Sequence, residues 1–180
     1  MKGSFMELNI NSKNSNAVFI NRSPYTGDVT EYKKYGSVFI VHGHDDLAKE
    51  QAARFVEKLG YEAVILHEQP NGGRMIMEKI EEYSDVSFAV VLYTPCDLGR
   101  DKNTKEEKCR ARQNVVFEHG YLIGKLGRNA VCALVKKGVE LPGDISGIVY
   151  IDMDNNAAWK MHLAREMKNA GLQIDYDKIV

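Results

Sequence analysis

Five short apolar runs, separated by stretches with helical spacing, restrict this chain to a narrow class of folds. The strongest is Phe88–Tyr93 (FAVVLY), an unbroken apolar and aromatic run. A segment with no alternation of polar and apolar positions is buried on both faces, so it reads as a central strand of a parallel sheet. Ser37–Val41 (SVFIV), Ala63–Leu66, Val131–Val135 and Ile148–Ile151 share that character. Between the first two runs, Leu47, Ala48, Ala52, Phe55, Val56 and Leu59 recur at intervals of three and four, and Gly60 closes the segment. That spacing predicts a helix capped by Asp45 or Asp46. Met75–Tyr83, Gln113–Leu126 and Ala157–Ala170 read as three further helices. Strands alternating with helices of these lengths imply βαβ crossovers and an α/β domain with helices on both faces of its sheet. Ligands of such sheets bind beyond the C-terminal strand ends, where the strand order reverses. Loops 42–46, 67–74 and 94–110 are therefore expected to open on one edge.

Residues 1–35 lack this regularity. They are rich in Asn, Ser, Lys and Tyr, and Ser23-Pro24 and Thr26-Gly27-Asp28 are turn-forming. We read 1–35 as a partly ordered N-terminal extension and 36–180 as the domain. Lys and Arg total 24 against 25 Asp and Glu, a formal net charge of -1, which argues against a bulk nucleic-acid binder. The three cysteines form neither a disulfide framework nor a closed zinc site. With no apolar run of signal-peptide or membrane-span length, the expected location is the cytoplasm, away from membranes.

The first loop, His42-Gly43-His44-Asp45-Asp46, follows a buried strand and precedes a helix N-terminus. Glycine allows close backbone approach, and the first N–H groups of the helix suit an anion. Adjacent loop histidines and aspartates offer no settled coordination geometry, so no metal is expected. In the second loop, His67 to Arg74, Gly72-Gly73 permit folding over a ligand and Arg74 suits a phosphate. The GxxxxGK[ST] order of a P-loop is absent. Tyr93 ends the central strand, and Thr94 and Asp97 follow it. Arg100 and Arg112 are candidates for phosphate or assembly contacts. Cys96 and Cys109 have no assignable histidine partner, which disfavours a cysteine nucleophile.

The third element is Arg112 to Tyr121 (RQNVVFEHGY). On a helix, Asn114, Glu118 and Tyr121 share a face. Val115, Val116, Leu122, Ile123 and Leu126 need burial beside them, which puts Glu118 at the margin of a packed surface. The spacing alone equally allows a border glutamate paired with Arg112 or His119.

Taken in order, SVFIVHGHDD, EQPNGGR, FAVVLYTPCDLGR, ARQNVVFEHGYLIGKLGR and VCALVKKGVELPGDISGIVYID resemble bacterial Toll/interleukin-1 receptor-like (TIR-like) domains, notably the antiphage effector type. The likeness covers nearly all of the chain after residue 35. It implies a flavodoxin-like TIR fold with a central five-stranded, mainly parallel sheet flanked by helices. It also implies cleavage of the nicotinamide–ribose bond of NAD, with NAD as substrate and no resident cofactor. The catalytic glutamate of the family maps onto Glu118 and its first-strand loop onto His42, Gly43, His44 and Asp45; on the NAD reading Asn114 is a substrate contact, and Tyr93, Thr94 and Asp97 are candidates for ribose hydroxyls or the nicotinamide amide. Its variable loop, involved in assembly, maps onto Glu68 to Arg74. Self-association through TIR surfaces and an activating partner protein are the expected partners. Two other readings stay open: a non-enzymatic TIR-like interaction module, and a nucleoside deoxyribosyltransferase-like enzyme with a glutamate on a similar scaffold.

Overall fold

The computed structural model describes residues 36–65, 76–143 and 147–179. Within them the five apolar runs become β1 (Ser37–Val41), β2 (Glu62–Ile65), β3 (Phe88–Tyr93), β6 (Val131–Val135) and β8 (Val149–Asp152). They form one sheet in the order β2-β1-β3-β6-β8. Every pairing is parallel, with Ile40 opposite Ile65 and Val90, and Leu92 opposite Leu134. The order reverses between β1 and β3, so the loops leaving Val41 and Tyr93 meet at the C-terminal edge where ligands of such sheets bind.

Both sheet faces are covered, which explains the unbroken apolar runs. Along β3, Phe88, Val90 and Leu92 enter one core, and Ala89, Val91 and Tyr93 enter the other. The first core is closed by α1 (Asp46–Lys58) and α4 (Trp159–Asn169). Trp159 is buried there, edge-on to Phe55 with ring centroids 5.4 Å apart. The second core takes Ile80 of α2 (Ile76–Tyr83) and Val115 and Leu122 of α3 (Gln113–Leu126). Burying a side chain such as Leu122 or Leu163 contributes about 1.5–3 kcal/mol, so the helix spacing read from the sequence is the spacing of these anchors.

Helix ends follow local chemistry. Asp45 accepts the Ala48 N–H at 2.9 Å and caps α1. Gly127, with φ +83, supplies the left-handed turn that ends α3. Before α4, one Asp154 carboxyl oxygen accepts from Asn156 and Ala158 and the other from the Trp159 N–H at 3.1 Å.

The polar excursion after β3 contains structure that its composition did not suggest. β4 (Asp97–Gly99) and β5 (Lys108–Arg110) form an antiparallel hairpin, and β7 (Val139–Glu140) joins β5 in parallel. Arg110 and Glu140 are ion-paired and hydrogen-bonded across this small sheet, and Lys108 reaches Glu140 at 3.4 Å. The second strand runs Glu62–Ile65 and the last Val149–Asp152, each displaced by a residue from the apolar run that marks it. The extension at 1–35 and the loop from His67 to Arg74 lie outside the described residues.

Candidate functional site

The C-terminal edge at the reversal is built first from the loop after β1. His42 is half-buried, and its Nδ1 donates to the Gly43 carbonyl at 2.8 Å. Gly43 is buried against the thiol of Cys96: a β-carbon there would lie 2.5 Å from Sγ. A side chain there must turn the Cys96 thiol out of its seat between the two loops, which glycine leaves in place. The His44 N–H donates to the same sulfur at 3.2 Å, and Thr94 Oγ1 lies 3.1 Å from it. Cys96 therefore acts as a clasp between the loops after β1 and β3. The His44 side chain faces solvent.

Asp45 has two engagements, capping α1 and meeting Lys136 at 2.9 Å. Burial by itself would raise its carboxyl. Hydrogen bonding to Lys136, to backbone N–H groups and the lysine charge outweigh that and hold it below its ordinary value. The bridge joins the loop after β6 to the start of α1, so Asp45 acts first on the loop it belongs to.

Tyr93 and Thr94 sit behind the edge rather than on it. Tyr93 is fully buried, its hydroxyl sharing a 2.8 Å hydrogen bond with His119 Nδ1, and Thr94 is 1% exposed. From there both brace the loops that leave the strand ends. Asp97 opens β4 and lines a groove of about 640 Å³ with Arg100, Arg110, Gln113 and Glu140. By the 3.6-residue turn of a helix, Gln113 and Val116 of this groove lie on the flank of α3 away from Glu118. A second concavity of about 430 Å³ lies between α1 and the head of α4, on the opposite sheet face. Glu118 lines neither.

Glu118 itself is 8% exposed. It has no hydrogen-bond or ion-pair partner among the described residues: the neighbouring His119 turns inward to Tyr93, and no bridge to Arg112 is present. Burial pushes its carboxyl up to about 7. Asn114, one turn earlier on the same face, is exposed. Arg112 is the N-cap residue of α3 and half-buried, and Arg100 is exposed. Arg74 lies outside the described residues.

Glu118 is thus an isolated carboxyl held in a dry setting near neutrality, the combination that marks groups poised for chemistry. A desolvated carboxylate interacts strongly with positive charge developing beside it, because little water screens it. Sequence reasoning missed the Tyr93–His119 bond. A signal was present, since His119 follows Val115 by four residues and precedes Leu122 by three, which puts it on the buried stripe. It also missed the Lys136–Asp45 bridge, which depends on strand order. Among the described residues, no group of three or more His, Cys, Asp or Glu side chains is arranged to hold a metal ion. None of the described helices is long and apolar enough to cross a membrane.

Comparison with known proteins adds a family. Residues 37–155 match the model described as "CAP12/Pycsar effector protein, TIR domain". The chain is 47% identical to YuaY of Escherichia coli (strain K12) over 142 residues, covering 78% of this chain and 48% of that protein. It is 40% identical to protein tirC of Dictyostelium discoideum over 126 residues, 64% of this chain and 63% of the other. Over 78 residues it is 36% identical to the Pycsar effector protein PaPycTIR of Pseudomonas aeruginosa, 42% of this chain and 25% of that one. The match thus spans less than two thirds of each relative's length.

Proposed function

The chain belongs to the CAP12/Pycsar effector TIR-domain family, and from that premise we propose that it cleaves the nicotinamide–ribose bond of NAD as an antiphage defence effector. The products are nicotinamide and ADP-ribose or a cyclic ADP-ribose product. The observation that carries this reading is Glu118, a buried carboxyl without a charged partner among the described residues, on the helix that packs over β1 and β3, the strands between which the order reverses.

The chemistry asks little more than that carboxyl. Nicotinamide leaves a cationic glycosidic bond as a neutral molecule, so its departure needs no general acid. Positive charge develops on the ribose as the bond breaks. A carboxylate against the sugar stabilises that charge, and one carboxylate suffices where an ordinary glycosidase uses two. The His42–Asp45 loop, held by Cys96, and Asn114 are the dinucleotide-binding candidates. Self-association through TIR surfaces completes the active form, and an activating partner protein controls it.

Incubation of wild-type protein with NAD at low and high protein concentration, with products resolved by mass spectrometry, tests the reading. Nicotinamide release that rises faster than protein concentration is the expected result. No release under dilute, crowded or partner-bound conditions would overturn it and leave an interaction module.

The pH dependence carries its own sign. Glu118 acts as the carboxylate, so kcat/KM of the free protein rises about tenfold per pH unit below its midpoint and levels off above about 7. The cationic nicotinamide ring of bound NAD favours the carboxylate beside it, so the kcat profile bends at lower pH than kcat/KM. A profile flat from pH 5 to 8 (about the range His and raised carboxylates report) would remove Glu118 ionisation from the rate.

Gly43 gives a steric test. Gly43→Ala places a methyl 2.5 Å from Cys96 Sγ and turns the thiol off the His44 N–H, which loosens the two loops. Displacing such a loop by an ångström lowers turnover about tenfold or more. Adding Cys96→Ala removes the sulfur and restores most of that loss. If the double variant is no better than Gly43→Ala alone, the clasp does not set the loop.

A further inference from the structure

We propose that His119 is a positioning residue for Glu118, and that its hydrogen bond to Tyr93 sets the direction in which the neighbouring carboxyl faces. The argument starts from an apparent waste of stability. His119 is fully buried, yet only one of its ring nitrogens has a partner among the described residues. Nδ1 meets Tyr93 Oη at 2.8 Å, while Nε2 is buried without a partner, as is the hydroxyl of Tyr150, whose ring lies edge-on to the imidazole with centroids 6.4 Å apart. A buried polar group left half-satisfied stabilises a core less than an apolar side chain of the same shape. Leucine or phenylalanine would fill this space at lower cost. What an apolar side chain lacks is direction: the Tyr93 bond admits one rotamer of His119 and one rotation of α3 over β3.

Position gives that restraint its use. His119 is the next residue after Glu118, so the bond acts on the turn of α3 that bears the carboxyl. Tyr93 is the last residue of β3, and Thr94 and Cys96 follow it to the sulfur that accepts the His44 N–H. The path from Glu118 through His119, Tyr93, Thr94 and Cys96 to His44 links the carboxyl to the first loop by short covalent steps and three contacts. Both rings stay neutral near pH 7, since burial lowers His119 to about 4 and raises Tyr93. The bond therefore does not switch in the range where Glu118 titrates. Among the described residues, the aromatic rings packed edge-on to the imidazole are Tyr93 of β3 and Tyr150 of β8, and burial raises both hydroxyls above their ordinary value.

The test uses Tyr93→Phe, which removes one oxygen and keeps the ring, with His119→Leu and His119→Asn, which have nearly the same shape. Asparagine can still accept the Tyr93 proton and leucine cannot. The first readout is the titration midpoint of the Glu118 side-chain carboxyl by carbon NMR on folded protein, assigned by its loss in Glu118→Gln. Loosening the turn hydrates the carboxyl, so Tyr93→Phe and His119→Leu lower the midpoint by about half a pH unit or more toward the ordinary value. His119→Asn keeps it near wild type. The second readout is NAD cleavage, where the same two variants lose about tenfold in kcat with KM little changed, and asparagine rescues.

This second readout rests on the function proposed above, whereas the titration does not. A wild-type protein that releases no nicotinamide but shows the titration pattern would sink the NAD reading and leave the positioning role standing. A Glu118 midpoint unchanged in folded Tyr93→Phe and His119→Leu, or moved equally by leucine and asparagine, would overturn the positioning role.

Discussion

Glu118→Gln is expected to lower NAD cleavage by about a hundredfold or more in a protein that folds as well as the wild type. Glutamine matches the shape of the carboxylate and its capacity to accept a hydrogen bond, but carries no charge. The substitution therefore removes the electrostatic contribution and little else. That contribution is large because Glu118 is 8% exposed and has no partner among the described residues to neutralise it. Charge in such a setting acts at an effective dielectric well below that of water, so its effect on a developing ribosyl cation exceeds that of a surface carboxylate. The interaction grows as the glycosidic bond breaks, so the loss belongs in kcat with KM moving less. Nicotinamide release at saturating NAD, with thermal unfolding as the folding control, measures it. Near-wild-type turnover from folded Glu118→Gln would remove Glu118 from the chemistry. Glu118→Asp keeps the charge but withdraws it by one methylene, and an intermediate loss separates position from charge.

The parts of this protein that could be read from its residues are those governed by repetition. FAVVLY and its four companion runs announced a buried parallel sheet, because only burial on both faces removes alternation. The three- and four-residue spacing around Val115 and Leu122 placed Glu118 at the margin of the core, where it is found. The hairpin of Asp97–Gly99 and Lys108–Arg110 was not legible. Its strands are three residues long, and what pins them is an Arg110–Glu140 contact across thirty positions of sequence. Tyr93 shows a different limit. As the last residue of a strand it read as an edge group, yet strict alternation puts it with Ala89 and Val91, under α3. Cys96 drew attention as a possible nucleophile, whereas in the fold its sulfur fastens the backbone of the first loop. Nothing in the local sequence identifies that role, since it depends on two strand ends being neighbours. Family membership adds the chemistry, which periodicity alone does not reach.

The substitution that removes activity should also stabilise the protein, and only above acid pH. In the folded state Glu118 titrates at about 7 against an ordinary 4.5. A raised carboxyl contributes its full share below 4.5, where folded and unfolded chains both hold the proton. That share is lost as pH rises through about 7, because ionisation then costs the folded state more than the unfolded one. At about 1.4 kcal/mol per pH unit the difference reaches up to about 3 kcal/mol on the alkaline side. Glutamine carries no proton to lose, so Glu118→Gln should match wild type near pH 4 and exceed it by several degrees in Tm at pH 8. His119 works in the other direction. Burial lowers it to about 4 from 6.5, so its contribution grows as pH rises through that interval. In the wild type the two slopes oppose each other between 4.5 and 6.5 and the stability profile is nearly level there. Removing the carboxyl should expose the histidine slope, with Glu118→Gln gaining stability steadily across the same window. Denaturant melts of both proteins at half-unit pH steps distinguish this from a mere packing gain, which would be the same at every pH. A constant difference would mean that Glu118 titrates as an ordinary exposed carboxyl, and the electrostatic case for its place in the reaction would fall with it.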